Sequence, residues 1–166
     1  AAKKLQQKYP GLVVYIPSCR IAFDEIFKKA FRKYQVKGIV ISQKDSAKLK
    51  PYIYSLTKIA LCKSGTVNME LALYGIPQIV GYRVSRVTAF IAKKILNFKV
   101  RFISPVNLLV NKLIIPEFVQ KDFDEKKIFS KSCRILEGKS EKIKIKKGYA
   151  FLKKELGEEG VVQRAA

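Results

Sequence analysis

"KIALCKSGTVNMELALYGIPQIVGY", residues 58–82, decides the fold. A β-rich run, Lys58 to Cys62, leads into the small-polar triplet Ser64-Gly65-Thr66. "VNMELALY" then has helical spacing and stops at Gly75, a residue type suited to a helix C-cap, with Pro77 just beyond. A second β-rich run, Pro77 to Tyr82, follows. Strand, turn, helix and strand in so short a space require a crossover between parallel strands.

The same alternation extends outward in both directions. Upstream, "LVVYIP" (Leu12 to Pro17) and "GIVIS" (Gly38 to Ser42) are expected strands around a helix over Ala22 to Tyr34, whose apolar residues Ile26, Phe27, Ala30, Phe31 and Tyr34 share one face. "DSAKLKPYIYSLT" predicts a helix from Asp45 or Ser46, disturbed by Pro51. Downstream come an amphipathic helix over Ser85 to Phe98, a short strand over Val100 to Ser104, a loop after "PVNLLVNKLIIPE", and helices over Asp124 to Leu136 and Ser140 to Leu156. The expected fold class is α/β, a Rossmann-like parallel sheet with helices on both faces, with residues 1–166 forming a single domain.

Composition bounds the function. The 166 residues carry 34 Lys+Arg against 13 Asp+Glu, a formal charge of +21, which calls for an anionic partner unless it reflects compositional drift toward Lys. Histidine is absent, so no imidazole base and no histidine-ligated metal exists in the chain. Cys19, Cys62 and Cys133 are isolated and odd in number, as reduced thiols are. No apolar run approaches the roughly 18 residues of a membrane span. The chain opens in mid-pattern, "AAKKLQQKYPGLVVYIP", as a helix already under way, and is expected to be part of something longer.

Ser64-Gly65-Thr66 falls where a parallel strand ends, the side on which open α/β sheets bind ligands. The first N–H groups of the following helix lack intrahelical acceptors and favour negative charge. Gly65 allows close approach of a phosphate, and the hydroxyls of Ser64 and Thr66 are further donors. An ordinary Ser or Thr helix cap is spelled the same way. Glu70, four residues after Thr66, lies about 6 Å along the helix axis. A carboxylate there can accept from two vicinal hydroxyls, as acidic residues do for ribose in dinucleotide sites. It can also be a plain first-turn acid facing the helix dipole.

"SGTVNMELALYGIPQIVGYR" resembles the lipid-A-disaccharide synthase family of GT-B glycosyltransferases. "ISPVNLLVNKLIIPEFVQ" (Ile103 to Gln120) is similar to that family's Pro-Asn-Leu-Leu and Pro-Glu blocks, and "LKKELGEEGVVQRAA" to its C-terminal helix. The resemblance implies the C-terminal, donor-binding half of a GT-B fold, with the acceptor domain and the family's Gly-Ser-Arg phosphate loop absent. It implies that Ser64, Gly65, Thr66 and Arg83 hold the diphosphate of a UDP-sugar and Glu70 its ribose. Tyr82, Asn107, Glu117 and Gln120 would line or brace the donor site. The full enzyme would transfer diacylglucosamine from UDP-2,3-diacylglucosamine to diacylglucosamine 1-phosphate, with inversion. No catalytic base is identifiable here; one is expected in the missing half, so this chain alone is expected to be inactive. The UDP-sugar is substrate, and neither a cofactor nor a metal is expected.

Both substrates of that family are acylated, which implies work on the cytoplasmic face of the inner membrane as a peripheral protein. Arg86, Phe90, Lys93 and Lys94 of "SRVTAFIAKKILNFKVRF" are candidate contacts with an anionic membrane surface, since the stretch combines an apolar stripe with cations. The same stripe suits a helix packed on a sheet. A homodimer exchanging C-terminal segments is implied by the resemblance alone. The alternatives are another GT-B transferase or epimerase using UDP-N-acetylglucosamine, or a non-catalytic basic module for membrane or RNA. Basic and aromatic residues do not alternate and no recognition motif occurs, so a nucleic-acid partner is not expected.

Overall fold

The structure, a computed structural model, describes residues 1–84 and 101–157. It divides into two compact units, residues 1–57 with 125–133, and residues 58–124 with 134–166. Both are α/β with every strand pair parallel, the Rossmann-like class the sequence predicts.

The first unit holds α1 (Ala2–Lys8), β1 (Val14–Pro17), α2 (Ile21–Lys33), β2 (Gly38–Ile41) and α3 (Gln43–Leu56). β1 and β2 pair in parallel from Val14 against Gly38 to Pro17 against Ile41. α3 begins earlier than the predicted Asp45 and runs through Pro51 without a break. A proline inside a helix forfeits one backbone bond and costs about 3 kcal/mol. Local side-chain bonds help the far end: Thr57 Oγ1 donates to the Ile53 carbonyl at 2.7 Å and Ser55 Oγ to that of Tyr52 at 2.7 Å.

The second unit holds β3 (Ala60–Lys63), α4 (Val67–Leu73), β4 (Gln78–Tyr82), α5 (Pro105–Val110) and β5 (Glu117–Val119), followed by a 3-10 turn, Gln120–Asp122. α6 (Glu125–Glu137) passes from one unit to the other, and α7 (Lys139–Leu156) completes the second. The strands lie in the order β3-β4-β5. α4 ends as its sequence predicts: Gly75 has φ +72°, Ile76 N–H reaches the Leu71 carbonyl at 2.9 Å and Gly75 N–H that of Ala72 at 3.0 Å. Those two bonds are the Schellman closure that glycine permits.

Two expectations change in this unit. The described part of the expected strand over Val100 to Ser104, residues 101–104, is irregular, because side-chain bonds take the place of a ladder there. "PVNLLV" is a short helix, capped by the Ser104 hydroxyl with Pro105 at its first turn, and "EFV" is a strand paired with β4. The helix expected over Ser85 to Phe98 lies outside the described residues.

The larger core belongs to the second unit. Ile79, Val80, Val106, Ile115, Ile135, Ile145 and Leu152 are each no more than 2% exposed and pack in one cluster. Full burial of such a side chain is worth about 1.5–3 kcal/mol. That packing fixes the carboxyl ends of β3, β4 and β5 relative to α5 and α7.

Candidate functional site

Strand register alone gathers four of the sequence-predicted residues. Lys63 stands opposite Gly81, and Tyr82 opposite Val119. Ser64, Tyr82, Arg83 and Gln120 are therefore consecutive or neighbouring residues at the carboxyl ends of three adjacent parallel strands. Gln120 has φ +52° and accepts from Val84 N–H through its side-chain oxygen at 3.4 Å, tying the exits of β4 and β5 together. Arg83 is exposed and Tyr82 half-buried. The Lys63 ammonium lies 5.5 Å from the centre of the Tyr82 ring. Lys63 was not singled out in the sequence; its place just before Ser64 was the available signal.

The Ser64-Gly65-Thr66 turn is anchored on both sides. The Ser64 hydroxyl donates to the carbonyl of Ile103, 39 residues away. A hydroxyl has one proton, so in this conformation Ser64 can only accept from a ligand, and Thr66 supplies the turn's remaining hydroxyl donor. Ile103 is itself held, because its N–H donates to Glu117 Oε2 at 2.8 Å. Glu117 Oε1 accepts from Ser104 N–H at 2.9 Å, from the Ser104 hydroxyl at 2.6 Å and from Asn107 Nδ2 at 2.7 Å. The carboxylate thus sits at the N-terminus of α5, where negative charge is stabilised.

Asn107 is fully buried, and both ends of its amide are engaged inside the loop. Nδ2 donates to the Ile115 carbonyl at 2.8 Å as well as to Glu117, while Oδ1 accepts from the N–H groups of Ile114 and Ile115 at 2.8 and 3.0 Å. Its amide holds the segment between α5 and β5 in shape. Ser64, Asn107 and Glu117 are thereby brought into one continuous network.

A second buried network reaches the turn from below, and sequence reasoning missed it. Gly65 N–H donates to Asn68 Oδ1 at 2.8 Å, a side chain reaching back over the first turn as in a capping box. Asn68 Nδ2 lies 3.0 Å from Gln78 Oε1 and 3.1 Å from the Cys62 sulfur. Gln78 Nε2 donates to the Asn68 carbonyl at 2.9 Å and to the Tyr149 hydroxyl at 3.1 Å, and that hydroxyl donates to the Ile76 carbonyl at 2.9 Å. Asn68 and Gln78 are fully buried, and Tyr149 is 2% exposed. Burial pushes the Cys62 thiol up to about 11, opposed by the hydrogen bond from Asn68. Burial likewise raises the Tyr149 hydroxyl above the ordinary phenol range, against the pull of its Gln78 bond. Polar residues inside apolar stretches, Asn68 three and four residues before buried Leu71 and Ala72 and Gln78 before "IVGY", were the signal for this network.

The first backbone bond of α4 is Asn68 N–H to the Gly65 carbonyl, so the N–H groups of Thr66 and Val67 precede any intrahelical acceptor. A Cβ built on Gly65 would meet no atom within 4 Å, so that side of the turn is open. Thr66 is exposed, and Glu70 is half-buried in the first turn of α4. Arg86, Phe90, Lys93 and Lys94 lie outside the described residues. No group of three or more His, Cys, Asp or Glu able to hold a metal occurs among the described residues, and no helix among them is long and apolar enough to cross a membrane.

A family model described as lipid-A-disaccharide synthetase matches residues 1–165. Curated proteins called lipid-A-disaccharide synthase match over all 166 residues: 41% identity in Prochlorococcus marinus (strain MIT 9313), 35% in Gloeothece citriformis (strain PCC 7424) and 31% in Synechocystis sp. (strain ATCC 27184 / PCC 6803 / Kazusa). The chain spans 42%, 42% and 41% of the lengths of those relatives.

Proposed function

The chain belongs to the lipid-A-disaccharide synthetase family, and from that premise we propose that it is the donor-binding half of such a glycosyltransferase. Its ligand is a UDP-sugar, UDP-2,3-diacylglucosamine in the complete enzyme. The observation that carries this reading is the open side of Gly65 at the carboxyl end of β3, where a diphosphate can approach the backbone. Thr66 and Val67 N–H groups, the Thr66 hydroxyl and the side chains of Arg83 and Lys63 supply the donors and positive charge. Glu70 takes the ribose hydroxyls. Tyr82 and Gln120 border the site, while Glu117 and Asn107 act from behind by holding Ile103 and so Ser64.

In the complete enzyme the bond from the sugar C1 to the diphosphate oxygen breaks as a hydroxyl oxygen of diacylglucosamine 1-phosphate bonds to C1 from the opposite face, inverting it. The hydroxyl proton goes to a base outside this chain, and UDP leaves with its charge held by the groups at the turn. No cofactor is invoked for this group transfer. The chain by itself binds UDP and is inactive. Acylated substrates and a charge of +21 support work at the anionic cytoplasmic surface of the inner membrane. Self-association through C-terminal segments belongs to the same reading.

Calorimetric titration of UDP into the chain, Gly65→Ala and Glu70→Ala tests the site. Saturable binding to the wild type is expected, weakened at least tenfold in each variant. Gly65→Ala should keep the wild-type melting temperature, because its methyl meets nothing in the fold. Wild-type affinity in Gly65→Ala, or no saturation of the folded chain at millimolar UDP, would overturn the reading.

A further inference from the structure

Building on the nucleotide reading, we propose that Tyr149 of the C-terminal helix α7 is a positioning residue for the Ser64–Thr66 turn, acting through Gln78 and Asn68. The path is continuous and buried. The Tyr149 hydroxyl is 3.1 Å from Gln78 Nε2, Gln78 Oε1 is 3.0 Å from Asn68 Nδ2, and Asn68 Oδ1 is 2.8 Å from Gly65 N. Each amide is fixed at both ends, so neither can flip without orphaning a buried partner. The Gln78 oxygen faces the Asn68 amide nitrogen, and its nitrogen faces the Tyr149 oxygen and the Asn68 carbonyl. The Tyr149 proton is committed to the Ile76 carbonyl, so its oxygen is presented to Gln78 as an acceptor.

An orphaned buried amide costs about 1–3 kcal/mol, which gives the chain of bonds one strongly favoured arrangement. One strand residue, Gln78, one residue of α4, Asn68, and a helix packed from far along the sequence thereby decide where Gly65 N–H points. That group donates to Asn68 and not to a ligand, so the relay sets the angle at which Thr66 and Val67 present their own N–H groups. The tie to Ile103 through Ser64 fixes the other side of the turn. Loss of the Tyr149 oxygen frees Gln78 to rotate and, through Asn68, loosens Gly65.

The test compares Tyr149→Phe with Ile145→Val, a buried residue of the same helix that takes no part in the relay. Both variants of the full chain are followed by thermal melting, by amide exchange and chemical shift of Gly65 in 15N NMR, and by UDP titration. Gln78→Met, which keeps side-chain length without the amide, is the second route if Tyr149→Phe does not fold. The expected result is a lowered melting temperature in both helix variants. Only Tyr149→Phe should move the Gly65 resonance, speed its exchange at least fivefold and weaken UDP at least fivefold.

A Gly65 amide, or a UDP affinity, that behaves in Tyr149→Phe as it does in Ile145→Val overturns the proposal. A wild type that binds no UDP while Gly65 still answers to Tyr149→Phe sinks the nucleotide reading and leaves Tyr149 as the residue that positions the turn. The two failures are therefore read separately.

Discussion

Two strand-to-helix turns in this molecule look alike in sequence and differ in construction. After β1, Ser18-Cys19-Arg20 leads into α2; after β3, Ser64-Gly65-Thr66 leads into α4. Each has a serine directly beyond its strand. The Ser18 hydroxyl donates to the carbonyl of Arg20 at 2.8 Å, two residues on, so the first turn is closed upon itself. The Ser64 hydroxyl reaches a carbonyl 39 residues away, and its neighbour Gly65 is held by Asn68. The serine hydroxyl of the first turn completes a local structure, while the second turn is tied directly to Ile103 and, through Asn68, to Gln78 and Tyr149, with one side left open. Rigid support behind an open backbone sets the second turn apart from the first, and neither feature can be seen in the triplet alone.

The contrast between the units is sharpest in their amide clamps, where the largest effect is expected. Gln6 in the first unit donates to the carbonyls of Leu12 and Lys37 at 3.0 and 2.6 Å and accepts from Lys37 N–H at 2.9 Å. Asn107 makes a similar set in the second unit but at 0% exposure. Water can replace the Gln6 bonds and cannot reach those of Asn107. Asn107→Ala should therefore cost roughly 3 kcal/mol, and Gln6→Ala about 1 kcal/mol or less, by urea denaturation. Equal costs would break the claim that burial separates the two clamps.

Next come the two thiols beside the two turns. Cys19 is exposed in the first, and Cys62, one residue before Lys63, is half-buried with its titration pushed up to about 11 by desolvation. At pH 8 a thiol titrating there is only about 0.1% thiolate. Iodoacetamide should consume Cys19 at least 100-fold faster than Cys62 in the folded chain. A raised value means the folded state holds the proton more tightly than the unfolded one. Its contribution to stability is full below about pH 9 and is lost as pH rises through about 11. Melting temperatures of Cys62→Ala and the wild type should converge over that window; a constant gap would contradict the burial of the thiol.

What the sequence made legible was the local part. β3, the turn, α4 and β4 could be read because Gly75 and Pro77 punctuate them and apolar spacing fills them. The place of Ser64, Tyr82 and Gln120 at the carboxyl ends of neighbouring strands follows once β5 is known, yet "EFV" is only three residues long and hid in an expected loop. Val100 to Ser104 reads as a strand because of its β-rich composition, but the N–H groups of Ile103 and Ser104 answer to the Glu117 carboxylate, a pairing no periodicity encodes. Asn107 showed its residue type and not its burial. Tyr149 and Gln78, 71 residues apart, could be joined only by the packing of α7.

The smallest effect discriminates best between the turns. Ser18→Ala and Ser64→Ala each remove one hydroxyl donor from a carbonyl, and each should cost about 1 kcal/mol of stability. Their effects on UDP should differ. Ser18→Ala leaves the second turn untouched, so affinity should stay within twofold of the wild type. Ser64→Ala releases the turn from Ile103 while Glu117 still holds the loop, so the turn loosens without unfolding and affinity should fall about fivefold, or about 1 kcal/mol. Ser64→Thr, which restores the donor, should recover most of that loss. If both alanine variants bind UDP alike, long-range anchoring does not separate a binding turn from a cap, and the distinction must rest on the open side of Gly65 alone.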